Sequence, residues 1–563
     1  MAAQRSPTNV TVHIRVAREM ETPMFAVAFR RATRARRAVS ALSVGVLVAS
    51  VAVINASAAN AATSARRAST AGFVVATNGG PVIGKTTGTT DEFLGLPYAA
   101  PPVGALRWRA PQPAVRWRGV RDATEFAPHC AQSASPFGSA STSEDCLYLN
   151  VFTPAQQTWR APRHLPVMVW IHGGALVTGE SDDYNPIQLV RDGVIVVTIN
   201  YRLGALGFLA HPALAGVPGG PSGDYGLMDQ QAALRWVQRN IDNFGGDSHN
   251  VTIFGESAGG LSVASQLVSP GARGLFDRAV IESGAYALNT ASLTTAEAAG
   301  EAFATQAGCA DQTAACLRSL PVQTILANEN AAGYQPDVDG QVLTESLGPA
   351  LASGRFNHVP VVNGSNHDEW RLFVALSALE GAPVTAANYV SMISSTLGVP
   401  AATAAIIAAQ YPLSAYPSPS VALGAVGTDA TFACPALTLD DSVSKYVPTY
   451  AYEFNDENAP ELFLPPVGFP YGAAHASEIQ YVFDLNVSAF PTPLSGPQQQ
   501  LATGMKAYWT NVAKRGVPSG LGEPLWLRFD PTHQRMQSLV PPRPQLETDF
   551  AAEHNCGFWS LAG

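Results

Sequence analysis

Charged residues are scarce in this sequence, and their scarcity limits the partners that the protein can have. Asp, Glu, Lys and Arg make up 14% of the 563 residues, and the formal net charge is −9. Binding to nucleic acid needs clustered Lys and Arg, but the one dense basic run, RRATRARR at 30–37, directly precedes a long apolar segment. We therefore expect no nucleic-acid partner, whereas the 47% hydrophobic content predicts a large core.

Cysteine is also scarce. None of the six cysteines forms a C-x-x-C pair or a Cys/His cluster with zinc-site spacing, so the sequence predicts no metal site. Six cysteines can instead pair as disulfides in an exported protein. Distances along the chain suggest two local bridges and leave one long-range bridge: Cys130–Cys146, Cys309–Cys316 and Cys434–Cys556.

The N-terminal segment has the pattern of an export signal. The basic run is followed by the uncharged stretch 38–62, which contains Ala-x-Ala patterns at 56–58 and 59–61. We expect residues 1–61 to be an extension and secretion signal, with translation starting at Met1 or Met24, and 62–563 to be one secreted domain. A membrane anchor is the alternative, since the apolar stretch is nearly long enough to span a bilayer. The pattern does not choose between the Sec and Tat export routes.

The remaining chain alternates apolar strands with helices. Strands are predicted at 146–154, 165–174, 193–201, 250–255, 277–285, 358–366 and 449–456, helices at 227–244 and 501–516, and a hairpin around 78–80. Apolar strands without polar alternation, separated by helices, indicate an α/β fold with a mostly parallel sheet covered on both faces. The Ala-rich segments 286–345 and 375–440 are predicted to be helical insertions that shape the mouth of a site.

One short stretch, VTIFGESAGG at 251–260, has the pattern of a nucleophile elbow. An apolar β-branched run ends at Gly255, Ser257 follows between glycines, and a stretch with helical spacing comes next. Strand, G-x-S-x-G and helix together form the turn that exposes a serine hydroxyl at the carboxyl end of a sheet. In a glycine-rich chain the bare pattern is weak, so the interpretation of Ser257 as a nucleophile depends on its partners.

A serine nucleophile needs a base, an acid that orients the base, and an oxyanion hole. Of the histidines after Ser257, His475 lies in the small-residue loop YGAAHASEIQYVF after a predicted strand. The loop NGSNHDEW at 363–370 offers two carboxylates, Asp368 and Glu369, and spacing alone does not separate them. WIHGGAL at 170–176 matches the HGG-type loop of esterases, so backbone N–H groups are expected to hold the oxyanion: those of Gly173, Gly174 and Ala258.

Longer stretches around these motifs resemble the type-B carboxylesterase/lipase family, which includes cholinesterases and bacterial para-nitrobenzyl esterases. Its serine signature corresponds to FGGDSHNVTIFGESAG at 244–259, and its second signature to EDCLYLNVFTP at 144–154. FLGLPYAAPPVGALRW (93–108), NYRLGALGFL (200–209) and YWTNVAKRGVP (508–518) are similar as well. The resemblance runs from about residue 72 to the C-terminus and implies an α/β-hydrolase fold.

The resemblance also implies roles for single residues. The family's acid is a glutamate in a D-E-G context, which favours Glu369, although Trp370 replaces the usual glycine. Its histidine lies in an H-x-x-E context, which matches His475 and Glu478. Glu256, Glu478 and Ser283 are expected to lie around the triad, and Ser283 to support His475. The three cysteine pairs match the family's disulfides.

The expected reaction is hydrolysis of a small-molecule carboxylic ester through an acyl-enzyme on Ser257, without a cofactor or an obligatory membrane partner. A lipase, a hydrolase of polymeric or aromatic esters, and a serine peptidase are alternatives on the same fold, and a non-catalytic adhesion module is a further one. The first disulfide loop, 131–145, contains no tryptophan and a single aromatic residue, Phe137. An aromatic cage for a cationic substrate is therefore not expected in this loop, and we predict poor activity on choline esters. The sequence does not indicate an oligomeric state.

Overall fold

The computed structural model describes residues 73–155, 164–215, 222–329, 334–486 and 489–561. The predicted export segment, 1–61, and the expected start of the mature chain lie outside the described residues. A single large sheet of eleven strands organises the described part, and its strands follow one another in this spatial order: Gln545–Glu547, Met536–Leu539, Thr449–Phe454, Val361–Asn366, Arg278–Glu282, Gly246–Glu256, Leu165–Ile171, Ile195–Ile199, Tyr148–Pro154, Thr90–Pro97 and Lys85–Thr87.

Most of this sheet is parallel, as predicted. The seven strands from Met536–Leu539 to Ile195–Ile199 run in one direction, and antiparallel strands close both edges. The predicted hairpin pairs Val74–Ala76 with Pro81–Ile83, and Arg121–Asp122 adds a third strand to it. Two further small sheets have two strands each: Ala291–Ser292 with Asp337–Val338, and Tyr184–Asn185 with Asp484–Leu485. All carboxyl ends of the parallel strands therefore meet at one edge, where α/β folds bind their ligands.

Alternation of side chains along the strands builds a core on each face of the sheet. In Leu165–Ile171, Val167, Val169 and Ile171 belong to one hydrophobic core, whereas Met168 and Trp170 belong to the other. Both faces are buried, which explains why the sequence shows no polar alternation here. The predicted strands end early where the backbone turns out of the sheet: 165–174 ends at Ile171, and 277–285 ends at Glu282.

Helices cover both faces. The helix Gly496–Arg515 starts with a capping box between Ser495 and Gln498 and ends at Gly516, whose φ of 74° suits a glycine. The α-helices of the described part are Ile187–Arg191, Gly204–Phe208, Tyr225–Asn240, Ala258–Val268, Leu293–Gln306, Ala314–Ser319, Val322–Ala327, Leu347–Ala352, Arg371–Leu379, Tyr389–Leu397, Ala401–Gln410, Pro419–Thr428, Cys434–Val443, Ile479–Val482, Gly496–Arg515, Phe550–Glu553 and Cys556–Trp559. A π-helical segment, Asp429–Ala433, joins two of them.

The two Ala-rich segments are helical, but they differ in position. Residues from 375–440 line the large cavity at the carboxyl edge, among them Met392 and Leu423. No described residue of 286–345 lines this cavity, so the prediction that this segment shapes the mouth is wrong. Its helices instead pack in a separate core with Trp108 and Leu206, away from the site. Composition predicted the helices correctly, but it carried no information about where they dock.

All three predicted disulfides are confirmed. They join Cys130 to Cys146, Cys309 to Cys316, and Cys434 to Cys556. One helical segment, Pro419–Val443, is long and apolar enough to cross a membrane, but 78% of its most apolar window is buried inside the protein, as in a core helix. The helices Tyr389–Leu397 and Ala401–Ala415 pass the same test only as a pair bent by 112°.

Candidate active site

Ser257 lies in the sharp turn between the strand Gly246–Glu256 and the helix Ala258–Val268. Its φ of 56° and ψ of −122° are strained for a residue with a side chain, at a typical cost of about 1–3 kcal/mol. A side chain on Gly255 would come within 2.5 Å of the Ile171 carbonyl oxygen, and one on Gly259 would collide with the same atom. The flanking glycines are therefore required by close backbone approach, and they let the turn hold Ser257 at the wall of the cavity.

His475 is held by Glu369. Its Nδ1 lies 2.5 Å from Glu369 Oε2, and the other carboxylate oxygen accepts the backbone N–H of Asn366 at 2.8 Å. When His475 is neutral, a proton on Nδ1 donates to Glu369, and the lone pair of Nε2 can then act as a base. Glu369 is completely buried, at 0% exposure, so its hydrogen bonds fix the imidazole in one orientation.

The side chain of the adjacent Asp368 contacts Ala473 and Arg371 instead of His475. One of its oxygens accepts the backbone N–H of Ala473 at 3.0 Å, and the other lies 2.8 Å from Arg371 Nη2. It thus ties the loop after Val361–Asn366 to the loop that carries His475. Of the two carboxylates that spacing left open, the structure brings Glu369 to His475, while Asp368 positions the two loops.

On its other side, His475 faces a carboxylate. Nε2 lies 3.2 Å from Glu256 Oε1. Burial lowers the pKa of His475, but the charges of Glu256 and Glu369 outweigh this effect and hold the pKa at about 9. Ser257 lines the same cavity, yet no hydrogen bond joins its hydroxyl to His475 among the residues that the structure describes. Such catalytic hydrogen bonds are often long before a substrate binds.

The two other residues expected around the triad differ in their contacts. Glu478 Oε2 accepts a hydrogen bond from Asn366 at 2.5 Å, and burial together with the charge of Glu369 raises the pKa of Glu478 to about 7. The buried hydroxyl of Ser283 has no hydrogen-bond partner in the described part of the chain. Support of His475 by Ser283 therefore stays a prediction.

The loop after Leu165–Ile171 brings backbone N–H groups to the serine. A side chain on Gly173 would lie 3.2 Å from Ser257 Cβ and 2.8 Å from Glu256 Oε2, and Gly174 has a φ of 97°. Across the described residues, the N–H groups of Gly173 and Gly174 donate to no protein acceptor. Ala258 is the first residue of its helix, so its N–H has no intrahelical partner. These donors are available to a developing negative charge.

His172 positions this loop from within the core. Its ring stacks on Tyr201 with centroids 4.5 Å apart, and Nδ1 contacts the Gly173 carbonyl oxygen at 2.9 Å. The Tyr201 hydroxyl donates to the His172 carbonyl oxygen at 2.8 Å. Burial lowers the pKa of His172 to about 4, so this imidazole is neutral and structural.

A comparison with known proteins identifies the family. The sequence profile of the carboxylesterase family matches residues 71–559, which is most of the chain. The chain belongs to the carboxylesterase family. It is 35% identical to acylcarnitine hydrolase of Mus musculus (80% of this chain, 83% of that protein), 36% identical to fumonisin B1 esterase of Sphingopyxis macrogoltabida (81% and 84%), and 34% identical to cocaine esterase of Homo sapiens (84% and 87%).

This carboxylesterase therefore has an α/β-hydrolase fold and is an enzyme that hydrolyses carboxylic esters. Its cavity has a volume of about 550 Å³ and extends from Ser257 to the helices after Glu369. Most of its wall is apolar, and its charged lining residues are acidic apart from His475: Asp183, Glu256 and Glu380. No Lys or Arg lines the cavity among the described residues. The site suits a ligand with a large apolar part.

Two aromatic residues that the sequence did not single out contact the imidazole of the carboxylesterase. The ring centroids of Phe432 and Phe373 lie 4.9 Å and 5.3 Å from that of His475. Phe432 belongs to the π-helical segment Asp429–Ala433, and such segments occur frequently at functional sites. Periodicity could not identify Phe432, because a π-helical turn rotates the side-chain direction away from the 3.6-residue spacing.

The single aromatic residue of the first disulfide loop, Phe137, lines the cavity as well. Phe137 lies at the wall, with its ring centroid 5.4 Å from that of Phe463. Groups of His and acidic residues close enough to hold a metal ion occur elsewhere, and none of those in the described part includes Ser257, Glu369 or His475.

Proposed function

We propose that this carboxylesterase hydrolyses its ester through an acyl-enzyme, with Ser257 as nucleophile, His475 as general base and Glu369 as the residue that orients His475. His475 Nε2 takes the hydroxyl proton as Ser257 Oγ attacks the ester carbonyl carbon. The negative charge on the carbonyl oxygen is stabilised by the N–H groups of Gly173, Gly174 and Ala258. The protonated imidazole gives its proton to the leaving alcohol, and water then hydrolyses the acyl-serine by the same steps.

The contact that carries this proposal is the 2.5 Å hydrogen bond between His475 Nδ1 and Glu369 Oε2, beside a serine in a strained turn on the same cavity wall. The bond fixes the tautomer that a general base needs and stabilises the imidazolium formed during the reaction. The charge of the neighbouring Glu256 adds to this stabilisation.

The cavity supports esters with a large uncharged apolar portion as substrates. Its wall contains many aliphatic and aromatic side chains, and no Lys or Arg of the described part lines it to pair with an anionic substrate. Names of the relatives, such as fumonisin B1 esterase and cocaine esterase, describe esters of different shape. We expect uncharged esters with a large apolar portion, and a lipase or a hydrolase of polymeric or aromatic esters is the second candidate because of the 550 Å³ volume.

We further propose that residues 62–563 form one secreted domain after removal of the N-terminal signal. Three disulfides support an oxidising destination, since such bonds persist mainly outside the cytosol. The low positive charge supports the absence of a nucleic-acid partner, and the burial of the apolar helix Pro419–Val443 supports a role without an obligatory membrane partner. N-terminal sequencing of the exported protein tests the cleavage position near Ala62.

Hydrolysis of para-nitrophenyl esters from acetate to palmitate tests the mechanism. We expect Ser257→Ala to reduce kcat by several orders of magnitude at every chain length, because the acyl-enzyme cannot form. An optimum at short chains supports an esterase, and an optimum at long chains supports the lipase. Ser262→Ala is the matched control, since its buried hydroxyl donates to the Ala258 carbonyl oxygen, accepts from the Gln230 side chain and does not line the cavity. Full activity of a correctly folded Ser257→Ala would contradict the proposal. A folded wild type that is inactive at every chain length would mean either that the cavity takes a quite different ester or that the chain is an adhesion module.

A further inference from the structure

Away from the cavity, a group of histidines and glutamates converges between the loop that carries Glu369 and the C-terminal segment. We call it the C-terminal cluster, and it consists of His367, Glu453, Glu547, Glu553 and His554. Its members come from the loop after one central strand, from the next strand, from the edge strand and from the last helices. The cluster shares no residue with the proposed triad, and the inference that follows does not depend on the proposed function.

The donor atoms of the cluster form two groups of three, and each group is close enough to hold one cation. One nitrogen each of His367 and His554 and an oxygen of Glu453 lie within 4.8 Å of one another. Oxygens of Glu453, Glu547 and Glu553 form a second such group. The two groups share Glu453, which therefore has nitrogen donors on one side and carboxylate oxygens on the other.

Both histidines are oriented as metal-binding histidines usually are. His554 Nδ1 lies 2.7 Å from Asp429 Oδ1, and His367 Nδ1 lies 3.1 Å from Asp368 Oδ1. Their Nε2 atoms lie 2.6 Å from Glu453 Oε1 and 3.1 Å from Glu553 Oε1, and a metal ion would take the place of the protons in these two contacts. Metal-binding histidines almost always donate their other ring N–H to a carboxylate or carbonyl, which fixes the tautomer and turns the free lone pair toward the metal.

Glu547 has an unusual environment for a buried carboxyl group. It is 8% exposed, and neither of its oxygens has a hydrogen-bond partner among the described residues. Its oxygen lies within 4.8 Å of those of Glu453 and Glu553, so neighbouring carboxylates face it without a hydrogen bond. Buried polar groups in native proteins are nearly always satisfied, and an exception needs an explanation such as an ion.

We propose that the C-terminal cluster binds one divalent transition-metal ion, with Zn²⁺ as the best match. Imidazole nitrogens together with carboxylate oxygens are ligands that Zn²⁺ takes readily, whereas Ca²⁺ and Mg²⁺ prefer oxygen donors alone. The side chains of His367 and Glu553 are 22% and 46% exposed, which gives the ion a path from solvent. Asp429 and Asp368 orient the two histidines through contacts with their Nδ1 atoms.

The bound ion would connect the loop that carries Glu369 to the C-terminal segment. His367 precedes Glu369 by two residues, and its backbone N–H donates to the Phe454 carbonyl oxygen at 3.0 Å. Glu547 and Glu553 belong to the last part of the chain, next to the Cys434–Cys556 disulfide. The ion would thus be a second cross-link at this end of the sheet, and its loss would loosen both segments.

Zinc binding by the full chain tests the proposal. The purified protein, with its disulfides intact, is treated with EDTA, reloaded with Zn²⁺ and desalted; bound zinc is counted by mass spectrometry, and the affinity is measured by competition with a chromophoric chelator. We expect one Zn²⁺ per chain and a higher Tm with zinc than with EDTA. Glu547→Gln should weaken binding by at least about tenfold, comparable to the loss of an orienting residue. Glu457→Gln, an exposed position near Glu453, is the matched control and should bind as the wild type does.

Failure of the wild type to bind Zn²⁺, or unchanged affinity in a folded Glu547→Gln, would overturn the proposal. If Glu547→Gln does not fold, the partly exposed His367→Gln decides by the same measurement. His129, Glu180 and Asp182 form another group with close donor atoms. Zinc that is lost in His129→Gln but retained in His367→Gln would assign the ion to that group and refute the assignment to the C-terminal cluster.

Discussion

The pH profile of Glu256→Gln tests the electrostatics of the site most directly. His475 must be neutral to accept the serine proton, and its pKa is held at about 9 although burial alone would lower it. We therefore expect kcat/KM of the wild type to rise with pH, with a midpoint near 9. The substitution removes the charge that lies 3.2 Å from Nε2 and leaves the contact with Glu369 intact.

The size of the shift follows from the distance. Two unit charges 3.2 Å apart attract by about 1.3 kcal/mol at the dielectric constant of water and by about 5 kcal/mol at an effective value of 20. Burial also raises the pKa of Glu256 well above its usual range, so the two groups titrate together and Glu256 exerts only part of this attraction. We expect an effect near the lower of these two energies, about 1.4 kcal/mol, which corresponds to a fall of about one unit in the pKa of His475.

The assay is kcat/KM for an uncharged para-nitrophenyl ester between pH 5 and 10. In Glu256→Gln, the activity at pH 7 relative to the alkaline plateau should rise about tenfold, while kcat at the plateau falls because the imidazolium loses a stabilising charge. Glu380→Gln removes another carboxylate from the cavity wall and should leave the midpoint unchanged. An unchanged or higher midpoint in Glu256→Gln would refute the assigned role of this charge.

Four further substitutions have distinct expected results. Gly174→Ala should reduce kcat by about 10²–10³ with a small change in KM, because φ is 97° and the added carbon collides with the Thr178 carbonyl oxygen, displacing an oxyanion donor; an unchanged kcat would contradict this. Glu369→Gln should lower kcat by about 10⁴ at nearly constant Tm, whereas Asp368→Asn should mainly lower Tm, and steady-state kinetics with thermal unfolding separate the two. Phe432→Ala should cost about 3–5 kcal/mol of unfolding free energy, measured by urea denaturation, and a loss below 1 kcal/mol would show that its packing on His475 is not structural.

Much of the sheet and of the site followed from local sequence. Buried parallel strands are apolar on both faces, and Ser257 lies in a turn that only glycines can flank, so both leave signals within ten residues. The separation of Glu369 from Asp368 could not come from spacing, because it depends on where Ala473 and Arg371 lie in the fold. It needed the family resemblance.

What could not be predicted depends on contacts between distant segments. The docking of 286–345 away from the cavity is decided by packing against Trp108, far earlier in the chain. Zinc-site spacing in the sequence did not reveal the C-terminal cluster, because its members lie in three segments more than 80 residues apart: at His367, at Glu453 and at 547–554. Short-range spacing identifies a metal site only when its ligands share one loop or helix.

The position of the cavity wall in the chain determines how the substrate range of the enzyme can change. Much of the wall belongs to the chain between the strands Val361–Asn366 and Thr449–Phe454, which are direct parallel neighbours in the sheet. The entire connection leaves the carboxyl end of one strand and returns to the amino end of the next, as a single crossover. Lengthening such a connection costs little loop-closure free energy, about 0.6 kcal/mol for each doubling. Swapping this segment between relatives, with Glu369 and Cys434 retained, should therefore transfer substrate range while the proposed nucleophile and oxyanion donors remain unaltered.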